Sequence, residues 1–307
     1  MLFFISMSLC ICLLLFADLG KSTSLLYDSI INLGHVPLFA MVAGMTLWVL
    51  DRVKWVSTDK KNYGLAVAIS AFLALTTEII QNFTPERSFQ AGDILNDIIG
   101  AGTFLAIAYQ FRRELKSRTR VFLCSTVYVS LMISCMPVIV AFADEMRARE
   151  DFPLLGSFET RWEMGRWKSE ESSFRRVSMY ATDGYHSLET VLSPGLYPGI
   201  TMDYPPRDWR GYENLTFDAH LEGTEPLPLT VRINDLAHNE EFNDRYNRTF
   251  TLQPGANRLN IDLSEVEHAP KGRLMDMEHI SILCIFSYKL QEPRTVYFDN
   301  FRLDKDI

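Results

Sequence analysis

The chain is short of the residues that build metal centres and disulfide frameworks. It has five cysteines in 307 residues, with no C-x-x-C and no Cys/His pairing. Cys10, Cys12, Cys124 and Cys135 stand in apolar runs, and Cys284 is alone in the second half, in ISILCIF. A lone cysteine makes no internal disulfide, and a free one packs as a small apolar residue. Clustered Lys and Arg are missing from residues 144–307, which hold 19 Lys+Arg against 29 Asp+Glu. That excludes a nucleic-acid partner, which needs a basic stripe. No nucleophile–base pair or metal-ligand set is visible, so the first expectation is a protein without catalysis and without a cofactor.

What is present divides in two. The net charge of −8 and mean hydropathy of +0.01 suit an ordinary soluble protein. Those averages hide residues 1–143, with 11 Lys+Arg, 9 Asp+Glu and long apolar runs. A chain of this length has room for about two domains. A bilayer core of about 30 Å takes about 20 apolar residues as a helix. Five stretches approach that: 2–17, 29–50, 64–84, 93–111 and 121–143. The first lacks a basic leader and a small-x-small cleavage site before Lys21, so it is expected to stay as a helix.

Orientation follows from the short loops. Arg52, Lys54, Lys60 and Lys61 fall in 51–63, and Arg112, Arg113, Lys116, Arg118 and Arg120 in 112–120, while the alternate loops hold only Lys21 and Arg87. Cationic loops stay in the cytoplasm. The N-terminus is then cytoplasmic, in a bacterial inner membrane on the resemblance given below. The fifth helix exits outward, and a short linker, 144–155, leads to an external domain, 156–307.

Polar residues in membrane spans are costly and therefore informative. They gather in TTEIIQNFTPERSFQAGDILNDIIGAGTF, 76–104. Glu78 and Gln81 are three apart and share a helix face. Arg87 sits in the turn, Asp93 starts the next helix, and Asn96 follows one turn on. Gly100 and Gly102 keep that helix thin enough for close packing, and His35 lies near the same end of the preceding helix. The run E-x-x-Q-x-F-x-P-x-R-x-x-x-x-x-D-I-L-x-N-x-x-G resembles the signature of the VanZ-like family, named for a glycopeptide-resistance accessory protein. The matching residues are Glu78, Gln81, Phe83, Pro85, Arg87, Asp93, Asn96 and Gly100. His35 resembles the family's histidine, although the usual Asp-Lys before it is replaced by Ser29 and Ile30. The likeness spans about 26–111 and implies a fold and a location, with no reaction. Two readings stay open. Glu78, Arg87, Asp93 and His35 line an outer-leaflet pocket for a head group or lipid-linked sugar, with acid–base capacity. Otherwise Arg87 pairs with Glu78 or Asp93, Asp93 caps its helix, and Gln81 and Asn96 hydrogen-bond between helices.

From 156 onward the pattern is short strands: LTFDAHLEG (215–223), LTVRIND (229–235), RTFTL (248–252), RLNIDL (258–263), ISILCIFSY (280–288) and TVYFDNFRL (295–303). Turns at EPLP, PGAN and APKG separate them. Many short strands with no helical period predict an all-β sandwich. TDGYHSLE, DWRGYENLTFD, PGANRLNIDL, MDMEHISIL and VYFDNFRL resemble the galactose-binding-like jelly rolls of family 11 carbohydrate-binding modules and complex I intermediate-associated proteins. The fold class is thus multi-domain: an all-α membrane bundle of about five helices and an all-β jelly roll.

That resemblance implies a glycan or protein partner. Sugar sites combine aromatic faces with polar rims. Candidates are Tyr185, Tyr204, Trp209, Tyr212 and Tyr246, with Arg207, Asp235, Asn239 and Arg245. Trp209 and Tyr212 serve equally well as cover for the sandwich edge, whereas Tyr246, in NDRYNR, is expected to be exposed. The resemblance also implies a structural calcium ion near the joined chain ends, with Glu159 and Asp299 as ligands. The leading expectation is a membrane-anchored cell-envelope protein whose β-sandwich binds an envelope or exopolysaccharide glycan close to the bilayer. The alternatives are a membrane enzyme acting on a lipid-linked sugar or head group, and an assembly protein binding other envelope proteins.

Overall fold

The computed structural model describes residues 24–53, 59–81 and 91–305. They form two compact units, a helical one over Leu26–Val140 and a second over Ala141–Ile307.

The helices are α1 (Leu25–Leu33), α2 (His35–Val53), α3 (Asp59–Gln81), α4 (Ala91–Arg112) and α5 (Ser117–Asp151), whose residues from Ala141 on belong to the second unit. Among the described residues four stretches, Leu25–Val53, Lys60–Gln81, Ala91–Arg112 and Ser117–Asp151, are long and apolar enough to cross a membrane. The expected segment 2–17 lies outside the described residues. Phe72, Phe111, Phe122 and Tyr128 are exposed at 67% or more on these helices. A face of that kind suits hydrocarbon and penalises water. The chain is a membrane protein.

The expected span over 29–50 falls within Leu25–Val53, which turns at Gly34, whose N–H bonds back to the carbonyls of Ile30 and Ile31. A new helix starts at His35. Pro37 fits its first turn, where no N–H is needed. The seam between α2 and α4 is set by glycines and alanines. A Cβ on Gly44 would stand 2.8 Å from the Phe104 ring, and one on Gly100 would overlap the Val36 carbonyl oxygen. Ala43, Leu47, Leu50, Ala66, Ala101 and Leu105 fill the core beside it. At one end of the unit, Asp51 of α2 accepts from Asn62 of α3 (2.9 Å) and pairs with Arg112 of α4.

Residues 144–155, expected as a short linker, hold the end of α5 and the start of β1. α5 continues through Asp151, carried by the i,i+4 pairs Arg149–Glu145 and Arg147–Asp151, and β1 begins at Leu154. Within the second unit the buried Asp144 carboxylate meets Arg166 at 3.0 Å, and the same guanidinium donates to the Leu155 carbonyl.

The second unit is a sandwich of two antiparallel sheets. The strands are β1 (Leu154–Gly156), β2 (Trp167–Glu170), β3 (Ser172–Val177), β4 (Ser187–Leu192), β5 (Gly199–Met202), β6 (Asn214–Leu221), β7 (Leu227–Asp235), β8 (Tyr246–Leu252), β9 (Gly255–Asp262), β10 (Ile280–Phe286) and β11 (Arg294–Asp304), with a short helix α6 (Leu263–Glu267) after β9. One sheet runs β3-β4-β11-β6-β9, with β1 also paired to β11; the other runs β2-β5-β10-β7-β8. Alternate residues point inward. Leu229, Val231, Ile233, Leu283 and Ile285 from one sheet and Leu215, Phe217, Val296 and Phe298 from the other are buried to 1% exposure or less. Phe217 stacks on Phe301 with centroids 4.7 Å apart. Each such side chain contributes about 1.5–3 kcal/mol by burial.

Candidate functional site

Two places in the molecule carry the polar and aromatic residues singled out above. The first is inside the helical unit. His35 Nδ1 lies 2.8 Å from Asp97 Oδ1, and Asp97 is 1% exposed. Asp97 is the residue the sequence reading passed over. Its other oxygen, Oδ2, is buried without a hydrogen-bond partner. Asp93 and Glu78 stand close enough to act electrostatically on both members of the pair. Glu78, Gln81 and Asp93 are all buried, and the Asn96 amide donates to the Asn32 carbonyl (3.1 Å), a bond between helices as the structural reading expects. Asp93 lies in the first turn of α4, which begins at Ala91, where a carboxylate suits the positive helix end. Arg87, Phe83 and Pro85 lie outside the described residues. The close approach at Gly100 brings α2 and α4 together one turn from Asp97, and that spacing is what lets an imidazole on one helix reach a carboxylate on the other.

The second place is the outward face of β2-β5-β10-β7-β8. Register puts Lys168, Thr201, Cys284, Arg232 and Asn247 in one row across it, and Glu170, Gly199, Phe286, Thr230 and Thr249 in the next. Tyr197 packs edge-on to Phe286 (5.6 Å) and tilted against Tyr288 (5.4 Å), with Tyr197 46% and Tyr288 53% exposed. Lys289 lies over the Tyr288 ring. Arg245 stands over Phe242, within electrostatic reach of Arg232, Cys284 and Tyr197, and its Nε is buried without a hydrogen-bond partner. At the far end Tyr204 faces Lys168, which pairs with Asp203 at 2.5 Å. Burial pushes the Cys284 thiol up, away from thiolate chemistry. The face therefore offers flat rings, hydroxyls and guanidinium donors together.

The glycan candidates separate accordingly. Tyr204 and Arg245 are on this face, and Asn239 is in the loop beside it. Tyr185 is 78% exposed but belongs to the loop over the other sheet. Arg207 is half-buried and its carbonyl accepts from Ile280. Trp209 is a core residue at 1% exposure, its indole donating to Pro206. Tyr212 packs edge-on to Phe152. Tyr246 is not exposed: it opens β8 opposite Ile233 and faces the core at 5% exposure, since strand alternation overrides the polar look of NDRYNR. Asp235 is likewise structural. Arg273 bridges Asp235 (2.5 and 2.9 Å) and Asp244 (2.6 and 2.9 Å), and this pairing holds the Asp244 carboxyl down at about 2.

The residues expected to hold calcium do not fit it. Asp299 accepts the N–H groups of Thr182, Asp183 and Asn300. Glu159 accepts those of Tyr185 and His186. Both carboxylates serve to pin the loop 182–186, and among the described residues no three His, Cys, Asp or Glu side chains gather as a metal site. Calcium wants six to eight oxygens.

No curated protein matches the chain. Among solved structures, a family 11 carbohydrate-binding module from Clostridium thermocellum, in complex with a β-1,3-1,4-mixed-linked tetrasaccharide, is 18% identical over 50% of this chain and 95% of its own, with a TM-score of 0.40. An exo-β-agarase is 13% identical over 50% of this chain and 25% of its own, also at 0.40. The sandwich itself is read from the strand pairing above. Residues 3–113, a stretch that holds the His35–Asp97 pair, match the VanZ/LLP1 family model, and over that stretch the chain is similar to this family.

Proposed function

We propose that the chain is a non-enzymatic, membrane-anchored protein of the cell envelope whose sandwich, held outside the cytoplasm, binds a glycan. The observation that carries this reading is the aromatic group of exposed Tyr197 and Tyr288 with half-buried Phe286, beside Arg232 and Arg245 on one open sheet face. Aromatic faces take the C–H side of a sugar, and guanidinium and threonine groups take its hydroxyls. Sidedness rests on the nine cationic residues in the two short loops. The paired replacement Tyr197→Ala and Tyr288→Ala is expected to lower affinity for an envelope or exopolysaccharide at least about tenfold. Titration of the full chain in nanodiscs against a polysaccharide array measures it. A blank array for the intact chain would move the assignment to binding of a partner protein.

A second reading is favoured by one feature, the His35–Asp97 pair with its unpartnered oxygen. It makes the helical unit an acid–base site for a lipid-linked sugar or head group. Asp97→Asn keeps the shape and removes the charge, so on this reading turnover of such a lipid in proteoliposomes drops by about 10²–10⁴. Unchanged turnover assigns the pair to helix packing.

A further inference from the structure

The opposite side of the sandwich holds a pocket of about 470 Å³ on the outward face of β3-β4-β11-β6-β9. Two transverse rows build its floor. Tyr297, His220 and Ala256 are register partners on β11, β6 and β9, and Asp299, Asp218 and Arg258 are register partners two residues along. Side chains two apart on a strand share a face and stand roughly 7 Å apart, with strands about 4.8 Å apart. One row is therefore aromatic, ending in a gap where Ala256 has no bulk, and the next is polar. The loop 179–186 folds over the edge. Tyr180, at φ +53°, stacks on His220 with centroids 3.6 Å apart and planes 12° from parallel, and meets Tyr297 at 4.8 Å. The loop is pinned at Asp299 and Glu159, and at Asp218, which accepts from the Thr182 hydroxyl (2.8 Å). Tyr180 is thus a fixed platform, 44% exposed.

We propose that this pocket binds one pyranose ring of a neutral saccharide, as a site separate from the five-stranded face. The ring lies against Tyr180 and fills the gap over Ala256. Its vicinal hydroxyls reach Asp218 and Arg258. Those two stand 3.6 Å apart, too far for a strong mutual hydrogen bond, so each keeps capacity for a hydroxyl. Asn257 does not compete, because its amide is spent on the carbonyls of Gln253 and Gly255. Tyr297 is fixed as well, its hydroxyl held by Glu189 (3.1 Å) and Glu222 (3.0 Å). The volume is that of a small-molecule site, and the loop closes one side, so a single ring suits it better than a long chain.

The test uses the full chain in nanodiscs with ¹³C-labelled histidine rings. It is titrated with methyl β-D-glucopyranoside, methyl β-D-galactopyranoside and methyl N-acetyl-β-D-glucosaminide. The expected result is a saturable shift of the His220 resonance with at least one of them. Ala256→Leu and Arg258→Ala weaken it at least about tenfold, while the Tyr197→Ala and Tyr288→Ala pair leaves it unchanged. Arg258 is 55% exposed, so its replacement carries the test should Ala256→Leu fail to fold. The proposal is overturned by no shift with all three sugars, by a shift that persists in both pocket variants, or by one that disappears in the tyrosine pair. The last outcome places the sugar on the other face and leaves the general glycan reading standing.

Discussion

Replacing Arg273 by alanine is expected to destabilise the sandwich by about 3–5 kcal/mol, the loss typical when one partner of a buried ion group is removed. Arg273 reaches four carboxylate oxygens, two on Asp235 and two on Asp244. Asp235 also takes the Asp276 N–H at 2.7 Å and is fully enclosed; its side chain is 0% exposed. Without the guanidinium, the enclosed Asp235 carboxylate loses its cation while a second carboxylate, Asp244, remains beside it. Denaturation of the full chain in detergent, followed by the fluorescence of buried Trp209, measures the loss; a change under about 1 kcal/mol would place the group in the class of weak surface pairs. The same contact fixes the acid limb. Asp244 titrates at about 2 in the fold, below its ordinary value of 3.8. A depressed carboxyl contributes stability that is complete above about pH 4 and lost as pH falls toward about 2. In the alanine variant that part of the acid transition flattens.

Gly100→Ala is expected to separate α2 from α4 at a cost of about 1–3 kcal/mol or more, whereas Gly102→Ala is neutral or gains up to about 1 kcal/mol. Two glycines two residues apart thus respond in opposite directions. The new Cβ at 100 meets the backbone of Val36, which cannot rotate away, and the one at 102 meets nothing within 4 Å. Unfolding in mixed micelles reports the stability, and spin labels on the two helices report their separation. The Gly100 variant also parts His35 from Asp97. Equal behaviour of the two variants would remove the close approach as the basis of the site.

Much of this was legible in the sequence. The apolar runs at 64–84, 93–111 and 121–143 fall on α3, α4 and α5, and six of the alternating runs fall on β6 to β11. The first five strands were harder. Ser187–Thr190 of β4 are all buried despite Ser, Glu and Thr, because their neighbours cover both faces, and no alternation survives to be read. Helix end effects were also hidden: α5 outruns its apolar segment because charge pairs continue it. Asp97 was missed beside the motif residue Asn96. The signal was there in the spacing, since Asp93, Asp97 and Gly100 recur at four and three residues and so share one helix face. Tyr246 and Asp235 were misplaced for a different reason. Residue type suggests exposure, but their side is decided by strand register, which depends on partners far away in the chain.

β11 lies in the middle of its sheet, bonded to β1, β4 and β6, and it is also the last strand of the sandwich to be synthesised. Until it arrives, that layer consists of two separate pairs, β3–β4 and β6–β9, with β1 alone. Ribosomal synthesis proceeds in chain order. The sandwich therefore matures only after its final segment is delivered, and the raw edges waiting for that segment are a window in which escort by a chaperone has most to protect.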